Sequence, residues 1–298
     1  MDPIKETLEI FTQKEIVLYQ DIYEKVKNKF IDDYGLDDFT TYYIDAESPT
    51  MKAISHRFYI ELLGTNFFQV AEQAIKNNRD EGDVKYLRHP MYWARTAYPT
   101  ATSKQRLLDA YPHYDRTFMI RAYSMWLALS DANTETGGLC FFKKSKQMTD
   151  LFNIEWGSLG KFNPKTYSIK YKELDPTIEG KIIYPNLNAG QAYLFNSYTL
   201  HGSTWPMSKK RLSFDCRFIT NNNFLEASPL AMRIIEAFNR DPLDVISKNM
   251  FLAGDYIGAN RINSKIESSF SKDTINEICD ITVRDQKISW RIENSFIQ

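Results

Sequence analysis

The sequence predicts a mainly β protein with flanking helices, its strands assembled as an antiparallel sandwich or barrel. Three observations carry this. From about residue 91 to residue 220, short runs rich in β-branched and aromatic residues follow one another, broken by turn residues. No helix-length pattern alternates with them, which argues against the βαβ spacing of a doubly wound sheet. Helical periodicity appears only before and after this stretch.

Taken in order, Thr12 and Glu15 form a T-x-x-E capping box ahead of "IVLYQDIYEKVKNKF", where Ile16, Leu18, Ile22, Val26 and Phe30 recur at helical spacing. A second helix is expected from Ser48-Pro49 through "MKAISHRFYIELLGTNFFQVAEQAIKNN", with Ile54, Phe58, Leu62, Phe67, Ala71 and Ile75 on one side. The charged "KNNRDEGDVK" (76–85) reads as a solvated loop. The strand candidates are "FMIRAYSMWLAL", "LCFF", "TYSIKYKEL", "KIIY", "QAYLFN" and "LSFDCRFI". Past Asn223, "SPLAMRIIEAFNRD" and "SKDTINEICDI" are helical, and "ITVRDQKISWRIENSF" is strand-like.

Composition narrows the partners. Lysine plus arginine (37) nearly balance aspartate plus glutamate (38), so neither nucleic acid nor an anionic membrane is expected as the main partner. A small-molecule substrate fits better. Cys140, Cys216 and Cys279 show no pairing pattern and suit a reducing compartment. With no apolar leader and no run approaching the roughly 18 apolar residues of a membrane span, the expectation is a soluble cytoplasmic protein.

The chemistry centres on "AYPHYDRTF" and "AGQAYLFNSYTLHGSTWPMSKKRLSFDCRF". His113 and Asp115 occupy alternate positions of an extended segment and so share a face, from which they can grip one ion. The pair is weak alone and needs a second half. Gly190 opens a β-run with His201 at its far end, and a third ligand from there gives two imidazoles and one carboxylate, the arrangement that leaves three positions open on ferrous iron. Arg211 and Ser213, again on one face, offer a planar fork and a hydroxyl suited to the far carboxylate of a dicarboxylic acid.

H-x-D at 113–115, the "MWLALSDANTETGGLCFF" strand, "GQAYLFN" leading to "HGS" at His201, and "KRLSFDCRF" together resemble the phytanoyl-CoA dioxygenase-like (PhyH) branch of the Fe(II)/2-oxoglutarate oxygenases over roughly residues 90–220. The resemblance implies a double-stranded β-helix (jelly-roll, cupin-like) core. It implies His113, Asp115 and His201 as iron ligands, and Arg211 with Ser213 holding the C5 carboxylate of 2-oxoglutarate. An upstream polar residue is expected to assist, with Lys104 and Arg95 as candidates. Asp115 fills a position that related halogenases leave to a small residue, which favours hydroxylation over chlorination. The "KKSK" at 143–146 departs from the family's usual turn, and the C-terminal region matches nothing in it.

Around this core, Trp205 is expected to line the pocket, while Trp126 fills the core. Strand phase leaves surface and pocket both open for Arg116, Arg121, Arg217, Tyr193 and Asn196; of these, Arg116 and Asn196 join Trp205 as candidate substrate contacts. His56 and His89 read as structural. The expectation is one oxygenase domain over 1–298, with helical support (1–90), jelly-roll core (91–220) and a helical extension (221–298) that pairs two chains or caps the pocket. It would hydroxylate an unactivated C–H bond of a small polar metabolite with O2, releasing succinate and CO2. Desaturation, cyclisation or epimerisation share the same ligand set. A non-catalytic β-barrel binding protein would need a defect in that set, and none is visible.

Overall fold

A computed structural model describes residues 7–36, 49–78, 86–99, 108–113, 122–142, 182–196, 199, 201–204, 206, 208–220 and 229–263. The T-x-x-E box starts the first helix as expected: in α1 (Gln13–Tyr34) the Thr12 hydroxyl accepts from the Glu15 amide while Glu15 bonds back to the Thr12 amide, and Gly35 closes the helix in the left-handed conformation. Its inward face is Ile16, Tyr19, Tyr23, Val26 and Phe30. Leu18, expected on that face, is 45% exposed, because the tyrosines rather than Leu18 complete the helical stripe.

The second expected helix is two: α2 (Pro49–Leu63) and α3 (Phe67–Asn78). The break is made by Thr65, whose hydroxyl donates to the Leu62 carbonyl at 2.8 Å and accepts from the Phe67 amide at 3.1 Å. Helix α3 continues to Asn78, so the expected loop at 76–85 begins later; residues 79–85 lie outside the described residues.

Among the described residues ten strands form two antiparallel sheets: β1 (Thr7–Glu9), β2 (Tyr86–Arg88), β3 (Trp93–Ala97), β4 (Leu108–His113), β5 (Ala122–Ala128), β6 (Leu139–Phe142), β7 (Ile182–Ile183), β8 (Gln191–Asn196), β9 (His201–Thr204) and β10 (Arg211–Thr220). The larger sheet runs β1-β8-β5-β10-β2, with β3 also on β10; the smaller runs β4-β9-β6-β7. Strands β1 and β2 are too short to register in the sequence, and both fall in the region expected to be helical. The expected strand in "TYSIKYKEL" and the terminal helix and strand lie outside the described residues.

The helices cover one face of the larger sheet. Leu212, Phe214, Cys216 and Phe218 point from β10 into a core shared with Tyr23, Phe58, Phe67 and Phe238. Phe58 and Phe67 meet the Phe214 ring edge-on at 5.3 and 5.5 Å. Ser55 on α2 accepts from the Ala94 amide at 3.0 Å, and the Thr96 hydroxyl donates to Tyr23 at 2.6 Å, tying helices to β3. Gly190, at φ +96°, opens β8 against α1, where a Cβ would lie 3.1 Å from Ile16 and from the Phe11 carbonyl. The described cysteines, Cys140 and Cys216, are free and buried, and burial pushes the Cys216 thiol well up.

Helices α4 (Pro229–Arg240), α5 (Pro242–Leu252) and α6 (Tyr256–Asn263) fold back on the same layer. Phe238 meets Tyr59 at 5.5 Å, and Asp255 is bonded to Arg57 of α2. Of the described helices, none is long and apolar enough to cross a membrane.

The opposite face of the larger sheet looks at the smaller sheet. Phe141 of β6 meets Tyr193 and Phe195 of β8 at 5.3 and 5.5 Å, within a cluster of Trp126, Ala128, Leu139 and Leu187.

Candidate metal and cofactor site

Strand β10 alternates strictly. Its even residues pack under the helices, and its odd residues Arg211, Ser213, Asp215 and Arg217 therefore face the space between the sheets, all four buried. Period 2 thus delivers a polar ladder on one side of a strand whose other side is core.

The two expected histidine ligands come together through register. His113 ends β4, His201 begins β9, and the two are direct partners across that antiparallel pair. His201 does not end the "QAYLFN" run, as the sequence suggested; that run is β8, and His201 begins β9 in the other sheet. His201 is 6% exposed, and its Nδ1 lies 2.9 Å from the Thr199 carbonyl. A carbonyl only accepts, so Nδ1 carries the proton and the lone pair of the neutral ring sits on Nε2. The Phe195 ring lies 4.6 Å from the imidazole and fixes its plane. Asp115 lies outside the described residues.

Arg211 is 1% exposed, a guanidinium fully inside the protein. Nη1 donates to the Thr204 carbonyl of β9 at 2.9 Å, and the group lies 5.8 Å from the Trp126 ring centroid. Trp126 fills the core as expected and also forms the floor beneath this cation. Ser213 Oγ, equally buried, has no hydrogen-bond partner among the described residues. A buried hydroxyl of that kind is costly unless a ligand completes it, and a hydroxyl beside a planar fork fits a carboxylate.

Arg95 is the direct partner of Ser213 on β3. Lys104, the other candidate, lies outside the described residues, as do Arg116, Arg121 and Trp205. Asn196 closes β8 opposite Tyr123. Tyr193 is half-buried over Phe141, with its hydroxyl 3.2 Å from that of Thr7. Arg217 is inward, donating from Nη1 to Asp215 Oδ2 at 2.8 Å. Asp215 itself was missed, although R-x-S-x-D-x-R spells its face in the sequence.

The other two histidines are structural, as read. Tyr92 lies 2.8 Å from Nδ1 of His56 on α2, and burial holds that imidazole down at about 4, hence neutral. His89 is buried beyond β2, with its Nδ1 accepting from the Met91 amide at 3.1 Å.

A model of the phytanoyl-CoA dioxygenase (PhyH) family matches residues 11–212. No curated protein matches the chain. Among solved structures, the chain is similar to a non-heme monooxygenase, ThoJ, in its apo form, with 13% identity, 74% of each chain covered and a TM-score of 0.45. It is similar to the non-heme alpha ketoglutarate dependent carbocyclase SnoK from nogalamycin biosynthesis, with 12% identity over 70% of this chain and 76% of that one and a TM-score of 0.42. A third is EvdO2 of Micromonospora carbonacea var. aurantiaca complexed with 2-oxoglutarate, at 17% identity over 58% and 68% with a TM-score of 0.37.

Proposed function

Because the chain belongs to the phytanoyl-CoA dioxygenase (PhyH) family, whose cofactors are Fe(II) and 2-oxoglutarate, we propose that it hydroxylates an unactivated C–H bond of a small polar metabolite. In this reading the two sheets are the halves of a double-stranded β-helix. His113, Asp115 and His201 would hold the iron, and Arg211 with Ser213 the C5 carboxylate of 2-oxoglutarate. Lys104 and Arg95 are the candidates for the assisting contact, and Trp205, Arg116 and Asn196 for substrate. Bound there, iron and 2-oxoglutarate supply oxygen activation coupled to decarboxylation of the oxo acid to succinate.

The protein's share is positional. The Thr199 carbonyl selects the His201 tautomer whose Nε2 can bind metal, and Phe195 shields that ring from water. Thr204 and Trp126 hold the Arg211 fork still before a ligand arrives, so little side-chain entropy is lost on binding. The observation that carries the reading is the buried Arg211–Ser213 pair with an unmet hydroxyl, bonded to the strand that His201 begins.

The test is an anaerobic titration of the protein with Fe(II) and 2-oxoglutarate, following the visible charge-transfer band of the chelated ferrous ion. The band is expected in the wild type, absent with His201→Ala, and shifted to at least about tenfold higher 2-oxoglutarate with Arg211→Ala. A wild type without the band sinks the proposal. Product analysis then separates hydroxylation from desaturation, cyclisation or epimerisation.

A further inference from the structure

The stretch "LSDANTETGG" (129–138) joins β5 to β6 and holds none of the residues assigned to iron or 2-oxoglutarate, yet both ends of Arg211 are fastened to it. The ladder between β5 and β10 runs out at Ala128 and Ser213. Beyond it, the Leu129 and Ser130 amides both donate to the Leu212 carbonyl at 3.0 Å, and the Ser130 hydroxyl accepts from the Leu212 amide at 2.8 Å. Ser130 thus supplies from its side chain the acceptor that a longer β5 would supply from backbone. The two peptide groups held here join Arg211 to Leu212 and Leu212 to Ser213. Fixing them sets the directions in which the Arg211 and Ser213 side chains leave the strand.

The guanidinium end is held from the same loop. Arg211 Nη1 donates to the Thr204 carbonyl at 2.9 Å, and Gly138 grips Thr204 in turn: the Thr204 amide donates to the Gly138 carbonyl at 2.8 Å, and the Thr204 hydroxyl accepts from the Gly138 amide at 3.1 Å. Between these two grips the loop is stiffened from within. Asn133 Oδ1 accepts from the Glu135 and Thr136 amides at 2.8 and 3.2 Å, and the Thr136 hydroxyl accepts from the Asn133 amide at 2.8 Å. The Ser208 amide donates to the Glu135 carbonyl at 3.0 Å, which ties the chain between β9 and β10 to the same loop.

A planar fork takes a carboxylate through two parallel bonds, so a displacement beyond about 0.5 Å weakens both. We propose that the β5–β6 loop is the bracket that sets affinity for the dicarboxylic acid, with Ser130 and Thr204 as positioning residues that act through Arg211. The proposal rests on the reading that Arg211 and Ser213 serve 2-oxoglutarate.

The test is a double-mutant cycle between Ser130→Ala and Arg211→Ala, read as 2-oxoglutarate affinity in the anaerobic Fe(II) titration. Fe(II) affinity is taken from the same titration at saturating 2-oxoglutarate, and urea unfolding is run alongside. Ser130→Ala is expected to weaken 2-oxoglutarate about three- to tenfold, to change Fe(II) affinity less than about twofold, and to lose its effect once Arg211 is alanine. Ser130→Thr keeps the hydroxyl and stays within about twofold of the wild type. Thr204→Val removes the hydroxyl at the other grip and weakens 2-oxoglutarate in the same sense, again sparing Fe(II). Unchanged 2-oxoglutarate affinity in both Ser130→Ala and Thr204→Val overturns the proposal. So does a loss in Ser130→Ala that Fe(II) shares, or one that persists undiminished without the Arg211 side chain, since the loop would then support the fold in general. A wild type that gives no charge-transfer band removes the cofactor reading itself, and the proposal falls with it.

Discussion

Two clusters of arginine and aspartate, one among the helices and one between the sheets, use the same residue types to different ends. On the helical side Arg57 grips Asp255 through two bonds of 2.7 Å and Asp33 through one of 2.6 Å. Arg261 closes the far side with bonds of 2.7 and 2.8 Å to Asp33, and Tyr34 and the Gly258 amide donate to Asp255. Two guanidiniums meet two carboxylates. Burial alone would raise the Asp255 carboxyl, yet the Arg57 hydrogen bonds hold it below its ordinary range. Between the sheets, Asp215 bonds Arg217 at 2.8 Å and stands 3.7 Å from Arg95, and the buried Ser213 hydroxyl has no partner among the described residues. The difference teaches how a buried polar network is to be read: a complete one fastens helices, and an incomplete one marks where a ligand belongs.

The comparison breaks most sharply by mutation. Arg57→Ala strands the buried Asp255 carboxylate, while Asp33 keeps Arg261, and is expected to cost about 3–5 kcal/mol in urea unfolding, whereas Arg95→Gln removes a charge whose Nε has no partner among the described residues and should stay within about 1 kcal/mol of wild type. Equal losses would erase the distinction.

Acid acts next, and also on the helical side. Asp33 and Asp255 have lowered folded values, so their contribution is present above the ordinary carboxylate range of about 4 and is lost as pH falls through those lowered values. His56 works earlier. Burial lowers it from 6.5 to about 4, so the unfolded chain takes the proton first and stability falls as pH drops across that window. The slope is at most about 1.4 kcal/mol per pH unit. Unfolding midpoints between pH 7 and 4.5 should decline in the wild type and flatten with His56→Gln; matching slopes would clear His56 of the effect.

The smallest change expected is at the α1 cap. Thr12→Ala should cost about 1 kcal/mol of stability and leave 2-oxoglutarate affinity untouched, since the helical layer supports the site without entering it. A fall in that affinity would show the two regions to be coupled.

Much of this was legible in the sequence because it rests on period. The alternation in "RLSFDCRF" put Arg211 and Ser213 on one face of a strand while leaving the phase at Arg217 open, and the spacing from Thr12 to Glu15 predicted the start of α1. What stayed hidden depends on partners distant in the chain. His201 belongs to the other sheet because its hydrogen-bonding neighbours are Phe141 and His113, which no local pattern announces. The break at Thr65 is a side-chain to backbone competition inside an otherwise unbroken apolar stripe. Trp126 was read as packing alone because only the fold puts Arg211 above it. Arg57 and Asp255, which fasten the C-terminal helices to α2, are ordinary charges in the sequence, separated by most of the chain.

Strand β10 also has a reading frame. Leu212, Phe214, Cys216 and Phe218 serve the core while Arg211, Ser213, Asp215 and Arg217 face the space between the sheets, and the two sets are interleaved one by one. Inserting or deleting a single residue would hand the arginines to the helices and the phenylalanines to the site, destroying stability and chemistry in one event. Descendants of this protein can therefore change what they bind by exchanging odd-numbered side chains in place, but the length of the strand is closed to variation.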